Sequence, residues 1–219
     1  SNSLWQNTLW KRLCKALLQE GLTIGFCELG KPCGAGQASR GFSFPCWRRN
    51  RLFFETDRFK SAIGAIDAAN ARDPQSAHWK DSDGPRELLF TQCVYQWVTQ
   101  LDCDASEPLL LAARAHTLCR WEVLRSRYAM NRQGYHEWRD ACAAYHAQFA
   151  EKMLREQGYE DATVNQVLAL TLKKNWPADP EARTLEDADC LAFLEMKLAS
   201  YVDEWDADKA VNILRRALR

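Results

Sequence analysis

Residues 106–121 read SEPLLLAARAHTLCRW, and this stretch decides the fold class. The opening Ser-Glu-Pro begins a helix in three ways: Ser caps free N–H groups, Glu lies near the positive end of the helix dipole, and Pro fits the first turn. From residue 109 to residue 121 the predicted helix is apolar on nearly every side, with three polar exceptions: Arg114, His116 and Arg120. A helix of this kind belongs in the middle of a bundle.

Apolar residues recur at helical spacing through most of the chain. They predict a helix that ends near residue 21, one over 56–71, one from 85, a long one that ends at 158, and further helices over 161–174, 184–203 and 206–218. Residues 74–84 are predicted to form a polar loop. No stretch alternates with the period of a β-strand. We therefore predict an all-α fold: a single orthogonal bundle of about seven helices.

Charge divides the chain near residue 54. Overall, 29 basic residues balance 29 acidic ones, but residues 1–54 carry eight basic residues and two acidic ones, a net charge of +6, which leaves −6 for residues 55–219. We predict that 1–54 is a basic N-terminal extension with one amphipathic helix and an irregular remainder. It is either an organellar transit segment or not native to the protein. Residues 55–219 then form the helical domain.

Composition excludes several functional classes. A net charge of zero disfavours a general nucleic-acid-binding protein, although the basic extension leaves that alternative open. No apolar run approaches the roughly 18 residues of a membrane helix. An odd number of cysteines, nine, without a secretory signal indicates a reducing compartment. We expect the protein in the cytoplasm, or in an organelle if residues 1–54 are a transit segment.

Three inward-facing side chains on separate helices suggest a metal site: His116, His146 and Asp187. Asp189 lies two residues after Asp187 and is in register with Phe193 and Met196. Imidazole and carboxylate ligands suit a divalent metal, which would activate a bound water for phosphoester hydrolysis. The alternatives are that each histidine is a core residue bonded to a backbone carbonyl and that Asp187 only caps its helix.

From residue 54 to 218 the chain also resembles the uncharacterised DUF4202 family. The motifs that carry the resemblance are Phe59-x3-Ile63-x2-Ile66-Asp67-Ala-Ala-Asn70-x2-Asp73-Pro74, Glu87-Leu-Leu, Ala112-Ala-Arg-Ala-His116, Arg120-Trp121, Tyr135-x2-Trp138-Arg139, His146-Ala, Gly158-Tyr159 and Leu185-Glu-Asp-x2-Cys-Leu191-x-Phe-Leu-Glu195. That family looks like a remote relative of the HD-type metal-dependent phosphohydrolases, in which an all-α core presents His, a His-Asp pair and a later Asp to one or two metals. The resemblance implies an HD-like bundle.

The same resemblance implies roles for individual residues. His116, His146 and Asp187 would hold the divalent metal, and Glu87 or Asp189 would be a further ligand or a catalytic base. The arginines Arg114, Arg120 and Arg139 suit bidentate binding of a phosphate group. This chain departs from the HD pattern at two points: Thr117 follows His116 where the pair has Asp, and Glu87 or His78 would have to replace the first His.

Two functions follow from these observations. One is a metal-dependent phosphohydrolase that acts on a nucleotide or a similar small phosphorylated molecule. The other is a non-catalytic helical protein that has kept the bundle with a degraded site and binds a partner or ligand.

Overall fold

The computed structural model describes residues 56–196 as a mostly helical domain, which confirms the predicted helical class. The elements are α1 (Asp57–Asn70), β1 (Ser76–Trp79), β2 (Ser82–Pro85), α2 (Arg86–Leu101), α3 (Glu107–Ala115), α4 (Arg132–Glu156), α5 (Asp161–Thr171) and α6 (Pro180–Met196), with short 3-10 turns at Arg120–Glu122 and Arg125–Arg127. The predicted N-terminal extension, the boundary near residue 54 and the last predicted helix lie outside the described residues.

Helix α3 lies at the centre of the domain, as its composition predicts. Every residue from 109 to 115 is buried, and α3 packs against each of the other five helices described above. Surrounded on all sides, it has no solvent-facing stripe, and this explains why the usual amphipathic pattern is missing. The site described below forms where the chain leaves this helix.

Helix α3 ends at Ala115, six residues before the predicted end at 121. Beyond His116 the i→i−4 hydrogen bonds stop, because the Leu118 N–H donates to the Ala115 carbonyl and Cys119 adopts a left-handed conformation with φ 53°. The Cys119 N–H donates instead to the side chain of Asn70, on α1. A contact that is distant in sequence therefore ends the helix while its apolar pattern continues.

The predicted polar loop over 74–84 is a two-stranded antiparallel hairpin, so this prediction was wrong. Strands of four residues are too short to show a sustained period-two pattern. Lys80, in the two-residue turn, has φ 55°, as expected in tight hairpins. The indole N–H of Trp79 donates to Glu195 on α6 at 2.8 Å, and this hydrogen bond fixes the hairpin to the helical core.

The predicted start of the last described helix was also wrong. Helix α6 begins at Pro180, four residues before Thr184, and the carboxylate of Asp179 accepts hydrogen bonds from the N–H groups of Glu181 and Ala182. Thr184 lies inside the helix, where its hydroxyl donates to the Pro180 carbonyl. An Asp cap followed by Pro in the first turn starts a helix effectively, so the chain uses this earlier signal.

Other predicted helix boundaries are confirmed. Thr56 caps α1 by accepting from the Phe59 N–H at 3.1 Å, and Ser106 caps α3 by accepting from the Leu109 N–H at 3.2 Å. Gly158, with φ 75°, follows the end of α4 in the left-handed conformation that glycine adopts at low cost.

Replacement of the α3 cap tests how strongly it stabilises the central helix. We expect Ser106→Ala to lower the free energy of unfolding by about 1 kcal/mol, because the Leu109 N–H loses its acceptor. Urea denaturation measures the change. Ser76→Ala, at an exposed strand position, is the control and should cost less than half as much. Equal losses in the two variants would show that the cap contributes nothing.

Candidate functional site

A small polar cleft of about 80 Å³ opens where the chain leaves α3, between α4, the end of α5 and α6. Its walls come from four segments that are far apart in sequence. The residues that line it are His116, Thr117, Arg120, Arg139, Cys142, Ala143, His146, Leu170, Thr171, Lys173, Leu185, Glu186 and Asp189. Two histidines, three cations and two acids therefore share one cleft.

His116 links the end of α3 to α6. Its Nδ1 lies 3.1 Å from the Ala113 carbonyl and its Nε2 lies 3.1 Å from Oδ1 of Asp189, while only 8% of the side chain is exposed. Both ring nitrogens thus face oxygen acceptors.

His146, on α4, is held as a neutral base. Its Nδ1 lies 2.7 Å from the Leu118 carbonyl, and because a carbonyl only accepts, Nδ1 carries the proton. Burial is the main cause that lowers the pKa of His146 to about 3; the hydrogen bond to the Leu118 carbonyl opposes this change, and the nearby charges of His116 and Arg120 add to it. Its Nε2 is buried and receives no hydrogen bond from the part of the chain that the structure describes. His146 therefore presents a lone pair that no donor among residues 56–196 uses.

Three basic side chains surround these histidines. Arg120 stacks on the Trp138 ring, 4.8 Å from Cζ to the ring centroid, and Arg139 is exposed on α4. Lys173 forms an ion pair with Glu186. Burial raises the pKa of the Cys142 thiol, and the charges of Arg120 and Arg139 both lower it. The charges of both arginines therefore reach the interior of the cleft.

Backbone strain occurs in two of the segments that form the cleft. Cys119 and Lys173 each have φ 53°, a conformation that non-glycine residues rarely adopt. Such residues persist where the surrounding structure holds them, and they are frequent at functional sites. This supports a functional interpretation of the cleft.

Five of the eight predicted site residues line this cleft: His116, His146, Asp189, Arg120 and Arg139. Sequence reasoning missed Lys173 and Glu186, which reach the cleft from the end of α5 and from α6. It also did not name Cys142 or Thr117 as site residues, and the buried hydroxyl of Thr117 has no hydrogen-bond partner within the described residues. Nothing in the local sequence marks these positions as neighbours of the histidines.

Asp187 was predicted to point toward the core, and this was wrong. It is exposed on α6, although Leu194, seven residues further on and on the same side of the helix, is buried. Leu185, Ala188 and Ala192 form a second buried face, and because successive helical residues are about 100° apart, Asp187 lies about 200° around the helix from Leu185. Asp189, two residues further on, is the acid that meets His116.

Arg114 does not reach the cleft, so its predicted contact with phosphate has no support here. It is buried in an ion pair with Asp67, and its Cζ lies 5.6 Å from the centroid of the Tyr95 ring. These residues border a different cleft, of about 450 Å³. Two helical positions separate Arg114 from His116, which turns their side chains in nearly opposite directions.

Glu87 does not line the cleft either. It is fully buried in the first turn of α2, where Oε1 lies 3.3 Å from an Arg86 guanidinium nitrogen. Its charge raises the pKa of Cys142, which does line the cleft, so Glu87 acts on the cleft without forming its surface. A direct catalytic role for Glu87 stays a prediction.

A metal site is not formed in this arrangement. Within residues 56–196, no three His, Cys, Asp or Glu side chains are placed together as metal ligands. The predicted ligand Asp187 is too far around α6 to join the two histidines. The divalent metal therefore stays a prediction. Among the helices of the described region, none combines the length and apolar composition required to cross a membrane.

Comparison with known proteins gives one match. The model of a protein family described as "Domain of unknown function (DUF4202)" matches residues 60–219, which include all the residues of the cleft. No curated protein and no solved structure matches the chain.

Proposed function

The chain belongs to the DUF4202 family, whose description names no activity, and from the cleft itself we propose that the domain binds the phosphate group of a small phosphorylated ligand. The observation that carries the proposal is the meeting of Arg120, Arg139 and Lys173 around the His116–Asp189 pair. A guanidinium group can donate two parallel hydrogen bonds to two oxygens of one phosphate, and a lysine ammonium group adds a point charge.

The size of the cleft favours a phosphate group over a whole ligand. Pockets that enclose drug-sized molecules measure roughly 300–1,000 Å³, well above the 80 Å³ of this cleft. Only a compact head group can enter, and the remainder of the ligand would lie over the exposed Arg139 side of α4. This arrangement suits a phosphorylated metabolite that is held by its phosphate.

Charge in the cleft also favours an anion. The three cations Arg120, Arg139 and Lys173 outnumber the two carboxylates, Asp189 and Glu186. Glu186 already neutralises part of Lys173, and a phosphate that entered could replace Glu186 as its partner. Arg120 is held by the Trp138 ring, so it loses little conformational freedom when a ligand binds.

A metal-dependent phosphohydrolase of the HD type is the second candidate. The observation that favours it is the orientation of both histidines: each directs Nδ1 to a backbone carbonyl, as metal-binding histidines commonly do. With Asp189 beside His116, a modest shift of side chains would offer two Nε2 atoms and a carboxylate to a divalent metal. Such a metal would lower the pKa of a bound water and supply a nucleophile. On this view the bundle is a remote relative of HD proteins.

Calorimetric titration with inorganic phosphate tests the proposal. We expect saturable binding to the full chain that Arg139→Gln weakens about tenfold, because a charge-assisted hydrogen bond to phosphate is lost. Arg132→Gln, an exposed position on the same helix outside the cleft, is the matched control and should change affinity less than twofold.

Two further results separate the candidate functions. Equal affinities in both variants, or no binding by the wild type, would overturn the proposed phosphate site. Release of phosphate from p-nitrophenyl phosphate when Mn²⁺ or Mg²⁺ is added, with a loss of this activity in His116→Ala, would establish the hydrolase. Phosphate binding without release would identify a non-catalytic binding protein.

A further inference from the structure

A row of hydrogen bonds connects α1 to the His146 ring through one peptide group. Asn70 is completely buried at the end of α1, and its Oδ1 accepts from the Cys119 N–H at 3.0 Å. The other end of the same peptide group, the Leu118 carbonyl, accepts from Nδ1 of His146 at 2.7 Å. The order is therefore Asn70, the 118–119 peptide group, then His146.

This row fixes how His146 meets the cleft. Cys119 is held in a left-handed conformation, which is unfavourable for a residue with a side chain and persists only if other contacts hold it. The hydrogen bond from its N–H to Asn70 is such a contact. Because hydrogen bonds in series strengthen one another, Asn70 also makes the Leu118 carbonyl a better acceptor for Nδ1. The proton stays on Nδ1, and Nε2 is left as an acceptor.

A buried acceptor without a donor is unfavourable, and a bound ligand can supply the missing donor. Phosphate oxygens that have lost their protons cannot do so, because they only accept. His116 and Arg120 line the same cleft as His146, so a phosphate bound beside them would lie close to the His146 ring. In a cleft of about 80 Å³, the donor must then be within one or two atoms of the phosphate ester.

We propose that His146 Nε2 accepts a hydrogen bond from a ligand hydroxyl on the carbon next to the phosphorylated carbon, and that Asn70 is the positioning residue that keeps His146 in this role. The ligand class is thus a phosphorylated polyol or sugar with a neighbouring hydroxyl. This inference rests on the proposed phosphate site, and it adds what the ligand must carry beside its phosphate.

Two ligands of equal charge and similar length test the inference: glycerol 3-phosphate, which has the neighbouring hydroxyl, and n-propyl phosphate, which lacks it. For the wild-type full chain we expect glycerol 3-phosphate to bind about tenfold more tightly in calorimetry, because only this ligand satisfies Nε2. His146→Phe should reduce the ratio to about one.

Variants at position 70 test the positioning role. Asn70→Leu should also reduce the ratio to about one, and Asn70→Asp, which keeps an acceptor for the Cys119 N–H, should restore most of it. In ¹⁵N NMR spectra of His146, the Nδ1–H form should dominate in the wild type and in Asn70→Asp, and should give way to a mixture of tautomers in Asn70→Leu. A purely structural role for Asn70 would leave both the ratio and the tautomer unchanged in any variant that folds.

The failures are distinguishable. Equal wild-type affinities for the two ligands overturn the hydroxyl contact but leave the phosphate site in place, and this measurement requires no variant to fold. A preference that survives His146→Phe also overturns the inference. If neither ligand nor inorganic phosphate binds, the proposed function itself is wrong, and the inference fails with it.

Discussion

Acidification from pH 6.5 toward pH 3 should destabilise the domain by as much as about 5 kcal/mol through His146 alone. In the unfolded chain this histidine titrates near its ordinary pKa of 6.5, whereas burial lowers its pKa to about 3 in the folded domain. Above pH 6.5 both states hold it neutral, so its contribution to stability is constant. Below pH 6.5 the unfolded state takes up a proton that the folded state does not, and stability falls by about 1.4 kcal/mol per pH unit.

Urea denaturation at intervals between pH 7.5 and pH 4 measures this slope. His146→Phe removes the titrating ring, so the variant should be less stable than the wild type at pH 7.5 but should lose stability more slowly on acidification. His136→Phe, at an exposed position on the same helix, is the matched control and should keep the wild-type slope. Parallel curves for the wild type and His146→Phe would show that His146 is not held neutral in the folded domain.

Local signals in the sequence were sufficient to predict those helix ends that are capped by residues close to them in sequence. Ser106 and the apolar run after it define the start of α3, and Thr56 and Gly158 mark the start of α1 and the end of α4. In each case the capping group lies within a few residues of the group it satisfies. The central place of α3 also followed from its composition, because a helix with no polar face must be covered on all sides.

Features that depend on contacts distant in sequence were missed. Asn70 ends α3 from 49 residues away, and the hairpin is anchored through Trp79 to a carboxylate 116 residues away. Asp187 was preferred to Asp189 because its sequence register with Leu191, Leu194, Leu198 and Tyr201 predicted an inward face. Packing set the actual face, and a two-residue change in a helix turns a side chain by about 200°.

The candidate site was predicted in part for the same reason. His116 lies on an otherwise apolar helix and His146 on the flank of the apolar stripe of its helix, so both were predicted to face inward, and the structure brings them to one cleft. Their ring hydrogen bonds were not predictable, because both Nδ1 acceptors are backbone carbonyls whose positions depend on how α3 ends. Lys173 and Glu186 carry no local pattern that separates them from ordinary surface charges. Their place in the cleft depends on how α5 and α6 pack.

Removal of one partner from the buried Asp67–Arg114 ion pair should cause the largest loss of stability among single charge changes away from the cleft. Arg114 is only 6% exposed, and within the described residues its Nε has no hydrogen-bond partner. Desolvation raises the pKa of Asp67 despite the nearby guanidinium, so the attraction does not fully offset the cost of burying the pair. We expect Asp67→Ala to cost about 3 kcal/mol, because an unpaired charge is left buried.

The double variant Asp67→Ala/Arg114→Met distinguishes two causes of this loss of stability. Either a favourable ion pair is missing, or the arginine charge is left buried without a partner. With both charges gone and the volume of the arginine stem retained, stability in urea should return to within about 1 kcal/mol of the wild type. Glu156→Ala, which breaks a solvent-exposed ion pair with Lys152, is the control and should cost less than about 0.5 kcal/mol. A double variant no more stable than Asp67→Ala would mean that the pair itself stabilises the fold.

Because Arg114 lies outside the His116 cleft, the double variant should also bind inorganic phosphate as the wild type does. A loss of that binding would show that Arg114 is a phosphate ligand after all.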